Sequence, residues 1–128
     1  MNRQLVPAKT PWASELAYSR AVRAGCFVAV SQTSASDENG MIHGGSDAYA
    51  QAVHALDRVE LALQAVGGEL TDTIRVRISM ANHADWERVA KAFSERFREI
   101  QPAVSLYETP MVSSDILVEF EVDAVIER

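Results

Sequence analysis

A single cysteine, Cys26, in a chain of 128 residues allows no internal disulfide framework, and no Cys/His spacing resembles a zinc site. A reducing compartment, the cytoplasm, is the expected location. No apolar run approaches the roughly 20 residues that a membrane-spanning helix needs. Between Met1 and Trp12 the apolar positions are interrupted by Pro7 and Pro11, which leaves no signal-peptide core. A soluble, unprocessed protein without a membrane partner is expected. Positive charge is scarce: 12 Lys and Arg against 18 Asp and Glu give a formal net charge of −6, and the basic residues never gather into a stripe. Such a surface repels a phosphate backbone, so nucleic acid is not an expected partner. His43, His54 and His83 lack companions at metal-ligand spacing, and His43-Gly44-Gly45 has neither the preceding strand nor the lysine of a phosphate loop. Neither a metal nor a cofactor is expected.

What is present is globular: 48% hydrophobic and 23% charged residues, in a length that makes one domain over residues 1–128. Residues 1–15, with two prolines and no clean period, read as an irregular N-terminal arm. Tyr18 to Arg23 and Cys26 to Ser31 read as strands around an Ala24-Gly25 break, with Cys26 a small buried hydrophobe at the hairpin exit. Thr33 to Gly45, with Asn39-Gly40, is a surface loop. Ser46 and Asp47 offer N-caps to a helix ending near Val66 before Gly67-Gly68, with an apolar stripe of Ala52, Leu56, Val59, Leu63 and Val66. The period then becomes two: Ile74, Val76, Ile78 and Met80 alternate with Arg75, Arg77 and Ser79. Asn82 can cap a second helix, whose core stripe is Trp86, Val89, Phe93 and Phe97, with Glu87 and Lys91 paired on its wet side. Strands at Ala103 to Tyr107 and Leu117 to Ile126 close the chain. This order predicts an α+β fold of two layers, a mixed β-sheet with two helices on one face. Arg75, Arg77, Glu119, Glu121 and Asp123 would lie on the uncovered face, a mixture suited to an oligomer surface.

Two segments carry a resemblance. Gln101-Pro102-Ala103-Val104-Ser105, followed by Leu117-Val118-Glu119-Phe120-Glu121, resembles the Rid (YjgF-type, RidA-like) family of enamine/imine deaminases, whose members carry Pro-Ala-Arg-Ser and then a hydrophobic-Glu-hydrophobic-Glu strand. The resemblance implies a chorismate-mutase-like domain, a homotrimer with small-molecule clefts at the subunit junctions, and no cofactor. By matching segments it implies Glu119 as the catalytic residue, holding and activating water, and Tyr18, Ser31, Gln32, Val104 and Leu106 as substrate-binding positions. Three of them have a plainer alternative: Glu119 as a solvated strand residue paired with Arg75 or Arg77, Tyr18 as a structural hydroxyl, Ser31 as a strand-end hydroxyl satisfied by backbone.

The chain departs from the family pattern where the arginine stands, at Val104, which makes it a divergent subgroup. That arginine clamps a substrate carboxylate through a bidentate, charge-assisted contact that an isopropyl group cannot make. Losing such a bond costs about ten- to a hundredfold in affinity. Gln32 replaces the family's glycine and Ala90 its asparagine. The expected function is small-metabolite binding, with hydrolysis of an enamine, imine or related activated carbon at Glu119, and not typical 2-imino acid deamination. The alternative is a non-catalytic ligand-sensing or protein-interaction trimer; a ribonuclease is the weaker rival.

Overall fold

The alternation that begins at Thr73 forms an inner strand of a six-stranded sheet. The computed structural model describes residues 2–128; Met1 of the expected arm lies outside the described residues. The strands are β1 (Arg3–Pro7), β2 (Ser19–Ala24), β3 (Phe27–Thr33), β4 (Thr73–Met80), β5 (Ala103–Glu108) and β6 (Val118–Val125), and the helices α1 (Ala13–Leu16), α2 (Ala48–Ala65) and α3 (Trp86–Phe97). The sheet order is β1-β2-β3-β6-β4-β5. Only β4 and β5 pair in parallel. A parallel pair needs a crossover, and α3 supplies it.

Both long helices start and stop where the sequence provides caps. Asp47 accepts from the Tyr49 amide at the start of α2, and Gly67 beyond its end takes a φ of 87°. The α2 stripe of Ala52, Leu56, Val59 and Leu63 is fully buried against the sheet, where it meets Val28, Val30, Phe120 and Val122. The helices cover one face of a mixed sheet, as the patterning predicts.

Five local readings differ. Arg3–Pro7 of the expected arm is an edge strand paired with β2, because Pro7 stands at the end of the run and does not interrupt it. Ile74 is 49% exposed because β4 bulges between Thr73 and Arg75, so that Thr73 takes the inward place. Trp86 lies at the first position of α3, outside the buried stripe, and Lys91 bonds Glu95 at 2.9 Å rather than Glu87. Cys26 is exposed because it occupies the hairpin turn itself, after Gly25 with φ 63°.

Candidate functional site

Two irregularities at the same end of neighbouring strands make the site. Between β1 and β2 the register passes from Val6↔Ala21 to Pro7↔Ser19, leaving Arg20 as an extra, unpaired residue. Between β3 and β6 it passes from Val30↔Val122 to Thr33↔Phe120, so Ser31 and Gln32 also carry one residue too many. Bulges re-aim side chains, and these two direct Arg20 and Ser31 into a common cleft.

The cleft, of about 240 Å³, has polar walls of Tyr18, Arg20, Ser31, Gln32 and Glu119, and an apolar mouth formed by Trp12 and Leu16 of the α1 segment with Val112 and Ile116 of the loop before β6. Four of the residues singled out by sequence therefore meet: Tyr18, Ser31, Gln32 and Glu119. Their hydroxyls are partly committed. Ser31 Oγ donates to the Ser19 carbonyl at 2.7 Å, and Tyr18 Oη lies 3.0 Å from Thr10 Oγ1 and accepts from Arg20 Nη2 at 3.1 Å. Gln32 Nε2 reaches Ser79 Oγ at 3.4 Å, a marginal contact.

Glu119 differs from its strand neighbours. Arg77 pairs with Glu121 at 3.0 Å and Asp123 at 3.2 Å, so the uncovered face neutralises itself without Glu119. Burial pushes the Glu119 carboxyl above the usual carboxylate range, and the positive charge of Arg20 opposes that rise. Arg20 is only 7% exposed, and burial in turn lowers its own pKa. Its guanidinium donates from Nη1 to the Gln32 carbonyl at 2.9 Å and to Thr33 Oγ1 at 3.1 Å, while Nε is buried without a partner. The cleft thus presents a half-buried carboxylate beside a buried cation.

Val104 and Leu106 lie elsewhere. They pair with Val76 and Ile78, on the helix side of the edge strand β5, whereas Glu119 pairs with Ser79 on the other side. Within one chain they do not line the cleft, and one small ligand cannot touch both sets. Conversely, sequence reasoning missed Arg20. No local signal marks it, because its direction is set by the bulge of β2 against β1.

The family model described as Endoribonuclease L-PSP matches residues 8–126. The 3-aminoacrylate deaminase RutC of Acinetobacter baylyi is 31% identical over 102 residues, covering 80% of this chain and 81% of that protein. A RutC family protein of Pyrococcus horikoshii is 30% identical over 105 residues, covering 81% of this chain and 82% of its own length. The crystal structure of Rv2704 from Mycobacterium tuberculosis, a member of the YjgF/YER057c/UK114 family, matches with a TM-score of 0.87 at 33% identity, over 98% of this chain and 100% of that one.

Proposed function

Since the chain belongs to the YjgF (RidA-like) family, whose model carries the description Endoribonuclease L-PSP, we propose that it binds a small metabolite in the Glu119 cleft and hydrolyses an enamine or imine there. The observation that carries this reading is the Glu119 carboxylate itself, desolvated, opposed by Arg20 and not bonded to the arginines of its own face. A carboxylate whose pKa is raised by burial is a better general base than a solvated one, and the charge of Arg20 opposes that rise. In the proposed reaction a water oxygen adds to the C=N carbon as Glu119 takes one of its protons. That proton is then delivered to nitrogen to give the carbinolamine, whose hydroxyl proton passes to nitrogen by way of Glu119 as the C=O bond forms and the C–N bond breaks, and a carbonyl compound and ammonia leave. An enamine enters after protonation at carbon gives its imine. No cofactor takes part.

The working unit in this reading is a cytoplasmic homotrimer. A contribution from Val104 or Leu106 to the cleft requires β5 of a second copy, because their own chain holds them on the opposite side of the sheet from Glu119. With valine there, the carboxylate clamp is gone. Arg20 does not replace it as a fork, since both its terminal nitrogens already donate within the chain. A neutral or more apolar substrate suits the cleft better than a simple 2-imino acid, in keeping with the apolar mouth of Trp12, Leu16, Val112 and Ile116. A second reading, a ligand sensor without turnover, draws support from the internal bonds of Tyr18 and Ser31, which leave few hydroxyls to orient a substrate.

Ammonia release from enamines of the 3-aminoacrylate type and from 2-iminopropionate-type imines decides between them. Turnover of either that collapses in Glu119→Gln supports hydrolysis, since the amide keeps shape but cannot act as base. Val104→Arg should raise the rate on the 2-imino acid. Binding without turnover in wild type and in a folded Val104→Arg variant would support the sensor.

A further inference from the structure

Two guanidinium groups, Arg20 buried and Arg58 half-buried, share one cavity without an ion-pair partner for either. Arg20, from the bulge in β2, and Arg58, from α2, both line a second cavity of about 370 Å³. This cavity lies between the β1–β2 edge and α2. Among the described residues, no Asp or Glu forms an ion pair with either one; the carboxylates of this region are engaged elsewhere or point to solvent. Asp37 is held by His43 Nε2 at 3.0 Å and by the Asn39 and Met41 amides, and Glu38 is exposed. Arg58 Nη1 donates to the Ser34 carbonyl at 2.6 Å and to Ser36 Oγ at 3.1 Å, both neutral acceptors. Burial lowers the pKa of Arg58 and the nearby charge of Arg20 lowers it further, while the charge of Asp37 opposes the fall. Lys9, a third cation on the cavity wall, is held with φ 53°, a left-handed conformation that a lysine adopts only at some cost.

A buried cation without an ion pair is costly, and Arg20, bonded only to neutral acceptors and with its Nε unpartnered, is such a cation. Ser36, Asp37, Glu38, His43 and His54 complete the polar part of the wall, Val6, Pro7, Leu61 and Ala62 form its apolar part, and the volume falls within the range of about 300–1,000 Å³ typical of small-ligand sites. We propose that this cavity binds a small carboxylate carrying a short apolar chain, its anionic end at Arg58 and Lys9 and its chain along Leu61 and Val6. Arg58 retains Nε and Nη2 for the contact, since its intramolecular bonds use Nη1. Arg20 contributes field from behind. Because Arg20 also forms a wall of the Glu119 cleft, a bound anion here offsets part of the charge that the carboxylate experiences, so that the two sites are linked through one side chain. The proposal does not depend on turnover in the cleft.

Calorimetric titration with hexanoate, hexanamide and inorganic phosphate tests it. Hexanoate should bind once per chain, with hexanamide at least about tenfold weaker, as loss of a charge-assisted bond predicts. Phosphate should bind more weakly than hexanoate because it leaves the apolar wall unfilled. Arg58→Gln should weaken hexanoate binding by about tenfold or more. Should that variant fold poorly, Leu61→Asp keeps the question open to measurement: Leu61 is 65% exposed, so the fold tolerates the change, while a carboxylate beside Arg58 competes with the ligand. Leu61 lines this cavity and not the cleft, so weaker binding in Leu61→Asp also locates the ligand. Equal affinity for hexanoate and hexanamide, phosphate binding as tight as hexanoate, or binding unchanged in Leu61→Asp would each overturn the proposal.

Discussion

Glu119 holds its proton to a higher pH in the folded chain than an unfolded glutamate, whose pKa is about 4.3, because burial outweighs the attraction of Arg20. Between that ordinary value and the raised one the folded protein binds more protons than the unfolded, so this residue's contribution to stability falls as pH rises through the window. Glu119→Gln cannot titrate. It should therefore melt higher than wild type at pH 7, with the difference shrinking below about pH 4, where both states of the wild-type carboxyl are protonated. A difference of the same size at both pH values would show that the carboxyl is not desolvated. Arg20 makes a separate prediction. Arg20→Met removes the charge opposing the rise, so the Glu119 pKa should move further up, read by carboxyl ¹³C NMR titration in a variant whose folding is checked by its melt; an unchanged value would separate the two residues. Glu119 was legible in the sequence because a strand motif frames it. The plainer alternative, a pair with Arg75 or Arg77, is not formed, and the nearby charge of Arg20 was not legible, since alternation alone cannot register the bulge at Arg20.

At the scale of elements, α2 does more than cover the sheet. Gln51 is fully buried on it and ties two loops together: Nε2 donates to the Gly45 carbonyl at 2.7 Å and the Asp115 carbonyl at 2.9 Å, while Oε1 accepts from the Leu117 amide at 2.9 Å. The second of these loops carries Val112 and Ile116 to the mouth of the cleft. Gln51→Leu keeps the volume but leaves these backbone groups unpaired, at about 1–3 kcal/mol each where water cannot reach them, so a total loss of about 3 kcal/mol is expected in chemical denaturation. Amide exchange at Leu117 should quicken well beyond the rest of β6. Uniform quickening would mean that Gln51 supports only global stability. The same packing explains His43-Gly44-Gly45, which is no phosphate loop: Gly44 has φ 98°, and a Cβ there would stand 2.7 Å from the Gln51 amide nitrogen. Helix ends and stripes were readable because caps and a 3.6-residue period are local signals. The bulges at Arg20, Ser31–Gln32 and Ile74 were not, because a bulge exists only relative to the neighbouring strand.

For the whole molecule, the two-layer arrangement follows from the order of periods along the chain, whereas the proposed assembly would rest on surfaces that no single chain completes. The uncovered sheet face carries the Arg77–Glu121–Asp123 cluster together with Phe27, 44% exposed, and Tyr107, 50% exposed, and the proposed trimer would cover such a face. Sedimentation velocity at micromolar concentration should give a species near three times the 14.1 kDa chain; a monomer would remove the shared cleft. The sharper consequence concerns Val104, which its own β5 holds on the helix side while Glu119 faces the other way. If a neighbouring copy supplies position 104, then a cleft can draw its base from one chain and its arginine from another. A chain carrying both Val104→Arg and Glu119→Gln should be inactive toward a 2-imino acid as a homotrimer, and wild type should be slow. Co-refolded, they form mixed trimers, some of whose clefts combine an intact Glu119 with the substituted position of the neighbour, so activity should exceed that of either parent. A buried arginine without its ligand carries a desolvation cost of several kcal/mol, so assembly of the doubly substituted chain must be confirmed before mixing. Activity of the mixture no greater than the weighted mean of its parents, in trimers shown to contain both chains, would mean that β5 of a second copy does not reach the Glu119 cleft.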